Sequence, residues 1–254
     1  MISVVIVGSG NVAQNLFQAF QKSADVTVKQ VMGRNREHLA FVNNNALIST
    51  EFTSDISADV YILAISDDAI STVGENFKNV EGILVHTSGA TPLNAIKSAN
   101  RPGIFYPLQT FTKGKIISFD DIPICIEATN NEDLEILTTL GKQLSKNVVE
   151  IDSDQRKTLH VAAVFVNNFT NYMYTMGSDI CAEHDLDFSL LKPLIKETAA
   201  KLDTLTPMKA QTGPAKRGDQ KTLHNHLQII KDKHQRELYT LLSNAIKEKH
   251  GKEL

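Results

Sequence analysis

Only two of the 254 residues are cysteine. Cys125 and Cys181 lie far apart and form neither a metal nor a redox motif. That usage excludes a disulfide-stapled scaffold and fits reduced, buried thiols in the cytosol. A basic excess is also missing: 26 Lys and Arg stand against 29 Asp and Glu, a net charge of -3. A nucleic-acid-binding chain would normally show a basic face, so no such partner is expected. No apolar run approaches the ~20 residues needed to cross a bilayer. The first strand signal begins at residue 2, which leaves no room for a signal or transit segment. The expectation is a cytoplasmic protein with no membrane partner. Histidines in metal-ligand spacing are lacking too. His224 and His226 stand two residues apart and cannot share a helix face, so no metal is assigned. What remains is ordinary globular material, 42% hydrophobic and 22% charged, enough for one large or two modest domains with real cores.

The most informative stretch is the start, Met1-Ile2-Ser3-Val4-Val5-Ile6-Val7-Gly8-Ser9-Gly10-Asn11-Val12-Ala13. Val4 to Val7 is an unbroken β-branched run, as expected of a strand buried on both faces of a parallel sheet. Gly8 allows the tight turn, Gly10 lets the backbone approach a pyrophosphate, and Ala13 lets the next helix pack on the strand. That helix N-terminus offers free N–H groups and a positive dipole end to phosphates. A lone G-x-G-x-x-A is weak, because glycine turns are common. Here a strand precedes it and an amphipathic helix follows (Val12, Leu16, Phe17, Phe20), so the expectation is a dinucleotide site at Gly8, Ser9, Gly10, Asn11 and Val12.

Strand and helix signals then alternate. Strands are expected at 3–7, 26–32, 47–48, 59–64, 83–86, 104–106, 123–127 and 147–151, with helices at 12–22, 36–43, 70–77, 93–97 and 132–144. Alternation of this kind predicts an α/β domain, a parallel sheet with helices on both faces. The pattern changes near residue 152. Asp152-Ser153-Asp154 is a helix-start cluster, and a helix of roughly 30 residues follows. Further helices are expected at 190–205, 220–230 and 232–249, with a Gly- and Pro-containing loop at 213–219. The domain organisation read from the sequence is therefore a Rossmann-type domain over 1–152 and an all-helical domain over 153–254.

Nicotinamide dinucleotides are sorted at the end of the second strand. A carboxylate there binds the ribose 2′-hydroxyl of NAD, whereas a basic residue accommodates a 2′-phosphate. The chain has Gly33-Arg34-Asn35-Arg36, with no carboxylate until Glu37. Arg34 supplies charge for a 2′-phosphate and Asn35 a further donor, so NADP(H) is the expected cofactor. The alternative is that both arginines are simply solvated, which suits Arg36 better than Arg34. Ligands of open α/β sheets lie beyond the carboxyl ends of the strands. Ile65 and Ser66 are therefore expected beside the adenosine ribose or diphosphate, and His86, Thr87 and Ser88 nearer the nicotinamide. Asp67-Asp68 reads as a helix cap.

The segment 159–176 is largely apolar, yet His160, Asn167, Asn171 and Thr175 recur at steps of seven, four and four. At ~100° per residue they fall within about 40° of one another around an α-helix. Asn168 lies one step away. A polar stripe without Lys, Glu or Arg must find partners. It would line a ligand cleft between domains, or it would form hydrogen bonds inside the helical domain. His160 can serve as a general acid or base at neutral pH, or it can be structural. In the 213–219 loop, Lys216 and Arg217 could hold an anion, and Asp219 reads as the cap of the next helix.

Several of these stretches resemble known proteins. VVIVGSGNVAQNL, VMGRNRE and VYILAISDDAI are similar to the NADP-binding domain of pyrroline-5-carboxylate reductase and deazaflavin-dependent NADP reductase. HTSGATPL, IFYPLQTFTK, HVAAVFVNNFTNYMY and TGPAKRGD resemble a bacterial family of Rossmann-like proteins assigned as NADP oxidoreductases, with a helical C-terminal domain of unknown function. The resemblance implies a helical domain similar to that of 6-phosphogluconate and β-hydroxyacid dehydrogenases, and a homodimer. In those relatives a Lys and an Asn on a long helix reach the nicotinamide. Here His160 stands near the Lys position and Asn167 or Asn168 near the Asn. The expected activity is hydride transfer between NADP(H) and a small carbonyl or imine substrate. His160 or Tyr106 would supply the proton, and Asn167 and Ser88 would polarise the acceptor. Gln109, Asn168, Asn171 and Arg217 are candidate substrate contacts. The alternative function is a non-enzymatic NADP-binding sensor. A third option replaces the small organic substrate with a deazaflavin or flavin partner.

Overall fold

The computed structural model describes residues 1–43, 46–53 and 55–250. Its strands are β1 (Ile2–Val7), β2 (Val26–Met32), β3 (Leu47–Ser49), β4 (Val60–Leu63), β5 (Ile83–His86), β6 (Pro102–Pro107), β7 (Ile124–Ala128) and β8 (Val148–Glu150). They form one sheet in the order β3-β2-β1-β4-β5-β6-β7-β8. The β-branched run of β1 sits at its middle. Val4 and Ile6 join one buried cluster, with Leu16, Phe17 and Phe20 of α1 (Asn11–Phe20). Val5 and Val7 join another, with Ile70 of α2 (Asp67–Gly74). Alternate residues of a strand point to opposite faces, so this division places a helical layer on each side of the sheet.

Every neighbouring pair of strands is parallel except β6 with β7, which are antiparallel. A parallel return needs a crossover element, usually a helix. Residues 108–123 contain none, so the chain doubles back, and α3 (Asn131–Lys142) then returns it to β8. Two of the expected helices shrink to 3-10 turns, Arg36–Leu39 and Leu93–Ala95. The strand order reverses between β1 and β4. That reversal opens a crevice at their carboxyl ends, where ligands of such sheets bind.

The change of pattern near residue 152 has a local cause. Asp152 caps α4 (Ser153–Ala163) through a capping box with Gln155, which satisfies N–H groups that the helix start leaves open. Two compact units divide the chain, Met1–Asn167 and Asn168–Leu254, so the first unit carries α4. Between Ala163 and Thr170 the helix widens to a π-helix, Val164–Phe169.

The second unit contains α5 (Thr170–Glu183), α6 (Lys192–Ala200), α7 (Pro207–Ala210), α8 (Pro214–Arg217), α9 (Gln220–Ile229) and α10 (Lys233–His250). The expected 213–219 loop holds the single turn of α8, between Gly213 at φ 107° and Gly218 at φ 68°. Asp219 caps α9 by accepting from Thr222 N. His226 Nδ1 and Tyr239 Oη, on α9 and α10, lie 2.8 Å apart. Among the described residues of this unit, Cys181, Ala215 and Ile230 alone are buried. No described helix is long and apolar enough to cross a membrane, and both cysteines are free and buried.

Candidate functional site

The glycine turn joins β1 to α1 at the crevice. Gly8 has φ 138°, and a Cβ there would lie 2.1 Å from the Ala64 carbonyl oxygen, so the ends of β1 and β4 meet backbone to backbone. Gly10 differs, since a Cβ built on it has no heavy atom within 4 Å. Gly10 is also the N-cap of α1, with no side-chain cap hydrogen bond and no acidic residue in the first turn. An open approach, unclaimed N–H groups and no competing carboxylate suit an anionic group at this helix end. Val12 packs against the core beneath it. Ser9 lies against Gly33, where a Cβ would come within 2.9 Å of the Ser9 Cβ. This brings the turn beside Arg34. Arg34 is exposed and makes no ion pair with the described residues. Asn35 caps the 3-10 turn by accepting from Glu37 N at 2.8 Å, which leaves its amide nitrogen to donate.

Asn11 is engaged in a way the sequence does not reveal. Its Nδ2 donates to the Phe111 carbonyl at 2.9 Å. Asn15 Nδ2 donates to Lys115 O, and its Oδ1 accepts from Ile117 N at 3.0 Å. These two asparagines tie the 109–117 loop along the first turns of α1. Gln109 opens that loop. It is exposed, and its Oε1 accepts from Thr110 N.

Beyond β4, Ile65 is half-buried and Ser66 exposed. Ser66 itself is the N-cap of α2 and makes no side-chain cap hydrogen bond, while Asp67 and Asp68 occupy the first turn rather than the cap. Beyond β5, His86 is fully buried. Its Nε2 donates to the Pro92 carbonyl at 3.3 Å, and its Nδ1 accepts from Ser88 N at 3.2 Å. Burial lowers its pKa to about 4, against a smaller opposing effect of the Pro92 hydrogen bond, so the imidazole is neutral. Ser88 Oγ accepts from Ala90 N and Thr91 N and donates to Thr91 Oγ1.

Tyr106, on β6, is only 9% exposed. Its hydroxyl lies 3.3 Å from Nδ1 of the half-buried His160 on α4, with the rings edge to face. Burial pushes the Tyr106 phenol above its usual pKa, so it is a proton donor at neutral pH. Gly89 sits against the pair, since a Cβ there would fall 2.6 Å from His160 Nδ1 and 2.9 Å from Tyr106 Oη. Register places His86 beside Leu63 at the end of β4 and beside Ile104 of β6, so turn and pair share the carboxyl edge of one sheet.

Asn167, seven residues on from His160, is exposed. The 100° step holds for α-helical turns only. Across the π-helical stretch the i→i+5 pattern puts more residues in each turn, so Asn167 does not return to the azimuth of His160. In the second unit Asn168, Asn171 and Arg217 are exposed, and the Thr175 hydroxyl bonds back to Asn171 O. Two residues of the pair's surroundings escape a reading by sequence. Gly89 lies inside a quoted motif but announces no contact. Arg156 stands in the first turns of α4, where arginine is usually solvated, yet it is fully buried.

Residues 122–246 match the family described as a domain of unknown function, DUF2520. The "putative NADP oxidoreductase" of Bacteroides fragilis is 37% identical, over 97% of this chain and 98% of its own, with a TM-score of 0.88. The chain belongs to the same family as this Bacteroides protein. A Thermotoga maritima protein is 22% identical over 98% of this chain and 99% of its own, with a TM-score of 0.75. Pyrroline-5-carboxylate reductase from Coxiella burnetii is 16% identical over 98% of both chains, with a TM-score of 0.60. The last two likenesses are of fold. No curated protein sequence matches significantly. The Rossmann-type sheet followed by helices is the architecture of this family.

Proposed function

We propose that this protein is an NADP(H)-dependent oxidoreductase acting on a small carbonyl or imine compound. The carrying observation is the Tyr106–His160 pair, 3.3 Å apart, on the sheet edge that also presents the open Gly10 turn. The name of the Bacteroides relative supports NADP, as does Arg34, exposed and without an ion pair among the described residues. The name of the Coxiella protein supports an imine or carbonyl acceptor, since pyrroline is a cyclic imine.

Gly8 to Val12 would hold the pyrophosphate with main-chain N–H groups, Arg34 and Asn35 the 2′-phosphate, and Ile65 and Ser66 the adenosine side. The bound nicotinamide supplies or accepts the hydride. Tyr106, kept protonated by burial, would give its proton to the acceptor's oxygen or nitrogen. His160 Nδ1 accepts a hydrogen bond from that hydroxyl and orients it. His86 and Ser88 shape the loop that carries Gly89. Gln109 remains a substrate contact we propose on its chemistry. A screen of carbonyl and imine compounds, followed by NADPH absorbance, tests the reading. Turnover lost in Tyr106→Phe and reduced in His160→Ala supports it. Unchanged turnover in both removes it. Tight NADPH binding with no oxidation by any compound, together with ligand-dependent binding of a partner, favours a sensor.

A homodimer belongs to the same proposal. Leu190, Leu194 and Leu241 are 70%, 62% and 65% exposed, and three buried residues cannot form a core for a unit of this size. Helices so poorly covered need a permanent apolar partner, and a second copy of the chain is always available to supply it.

A further inference from the structure

We propose that Arg156 is a positioning residue. From the first turns of α4 it clamps the loop 88–93 and so fixes Gly89 against the Tyr106–His160 pair. The inference rests on the reading of that pair as the reactive end of the site.

The clamp reaches three successive residues. Arg156 Nη2 donates to the Thr91 carbonyl at 2.7 Å. His86 Nε2 donates to the Pro92 carbonyl. Leu93 N donates to Ser153 Oγ at 3.0 Å, one turn ahead of Arg156. Ser153 Oγ in turn donates to Glu127 at 2.9 Å, and Arg156 Nη1 closes the ring onto the same carboxylate at 2.5 Å. The other half of the loop is held by Ser88, whose hydroxyl collects Ala90 N and Thr91 N. Gly89 lies between these anchors, so its approach to Tyr106 and His160 is set by them. Since α4 also carries His160, one helix fixes both the loop and the imidazole.

A purely stabilising role explains this arrangement poorly. A fully buried guanidinium is costly to desolvate, and a well-packed apolar residue often serves stability as well or better. Arg156 also leaves its buried Nε without a partner among the described residues, which adds to the cost. What an apolar side chain could not supply is the planar fork that joins Glu127 to a loop carbonyl. The same cation lies near enough to Tyr106 to oppose the rise that burial causes.

The test uses the full chain with Arg156→Met, Arg156→Lys and Ser153→Ala. Amide hydrogen exchange should speed up by about tenfold across 88–93 in Arg156→Met, the loss expected for a charge-assisted hydrogen bond. Exchange in the central strands should not change. Arg156→Lys should be intermediate, and Ser153→Ala should loosen Leu93 while keeping the ion pair, which covers the case of a Met variant that fails to fold. The second readout is ligand binding. Affinity for NADPH should fall by about tenfold in Arg156→Met while affinity for 2′,5′-ADP, which lacks the nicotinamide, stays within about twofold. Wild-type exchange in 88–93, or equal losses for the two ligands, would overturn the clamp. If wild type binds neither ligand, the NADP reading is at fault, and the exchange rates alone then decide the clamp.

Discussion

The two glycines of the N-terminal turn should respond to alanine in opposite ways. At Gly8 the added Cβ would stand 2.1 Å from the Ala64 carbonyl oxygen and 2.8 Å from its carbon. Neither neighbour can swing aside, because both are main chain of the adjoining strand. The φ of 138° adds conformational strain. Taking about 1–2 kcal/mol for the unfavourable backbone and about 1–3 for overpacking, Gly8→Ala should lose about 2–5 kcal/mol, a large share of a typical domain's stability. Gly10 has φ -77° and open space in front of its Cβ direction. Gly10→Ala should lose less than about 1 kcal/mol, the difference between these residues at an N-cap. If a pyrophosphate occupies that space, however, NADPH affinity should drop on the order of 100-fold, near 3 kcal/mol. Urea denaturation gives the first quantity and NADPH fluorescence titration the second. A Gly10→Ala protein that binds NADPH like wild type refutes the placement of the cofactor. A Gly8→Ala protein as stable as wild type refutes the strand contact.

Arg34→Ala should weaken NADPH by tenfold or more and leave NADH unchanged, as expected when a charge-assisted contact to a 2′-phosphate is removed; equal affinities before and after would count against NADP selection. His86 has a folded-state pKa of about 4, below its unfolded value near 6.5, so the unfolded chain binds the extra proton and stability falls with acid. The contribution is complete above pH 6.5 and is lost as pH drops toward 4. Between pH 6.5 and 5 wild type should lose about 1.5 kcal/mol that His86→Asn does not, and parallel pH curves for the two proteins would disprove this. Light scattering should give twice the mass of one chain, and Leu194→Glu with Leu241→Glu should lower it or abolish folding; a stable wild-type monomer at micromolar concentration would refute the dimer.

The strands of the first unit were legible because burial on both faces writes itself as unbroken apolar runs. Val4 to Val7, Val60 to Leu63 and Ile83 to Val85 are all fully or nearly fully buried. The direction of β7 was not legible, because parallel and antiparallel strands with two buried faces have the same composition. Only the missing helix in 108–123 betrays it. Positions that depend on backbone approach were half legible. The glycines of the turn announce a close contact, but nothing in the sequence says that Gly8 faces Ala64 while Gly10 faces open space. Arg156 was invisible for a physical reason. A buried guanidinium needs Glu127 and Thr91, which lie 29 and 65 residues away, and no local pattern encodes partners at such distances.

The two histidines at the sheet edge show why residue type alone could not assign roles. As a sequence, His86 is expected beside the nicotinamide and His160 as a proton donor. In the fold, both nitrogens of His86 are committed to main chain of its own loop, and burial holds the ring neutral well below physiological pH. Such a ring can fix a tautomer and a loop, but it has no lone pair or proton left to exchange. His160 commits Nδ1 to the Tyr106 hydroxyl and retains partial exposure. In the proposed function the hydroxyl that would give up a proton is therefore oriented by His160 and not by His86. The two histidines thus meet the same loop at different points, His86 at Pro92 and His160 at Gly89.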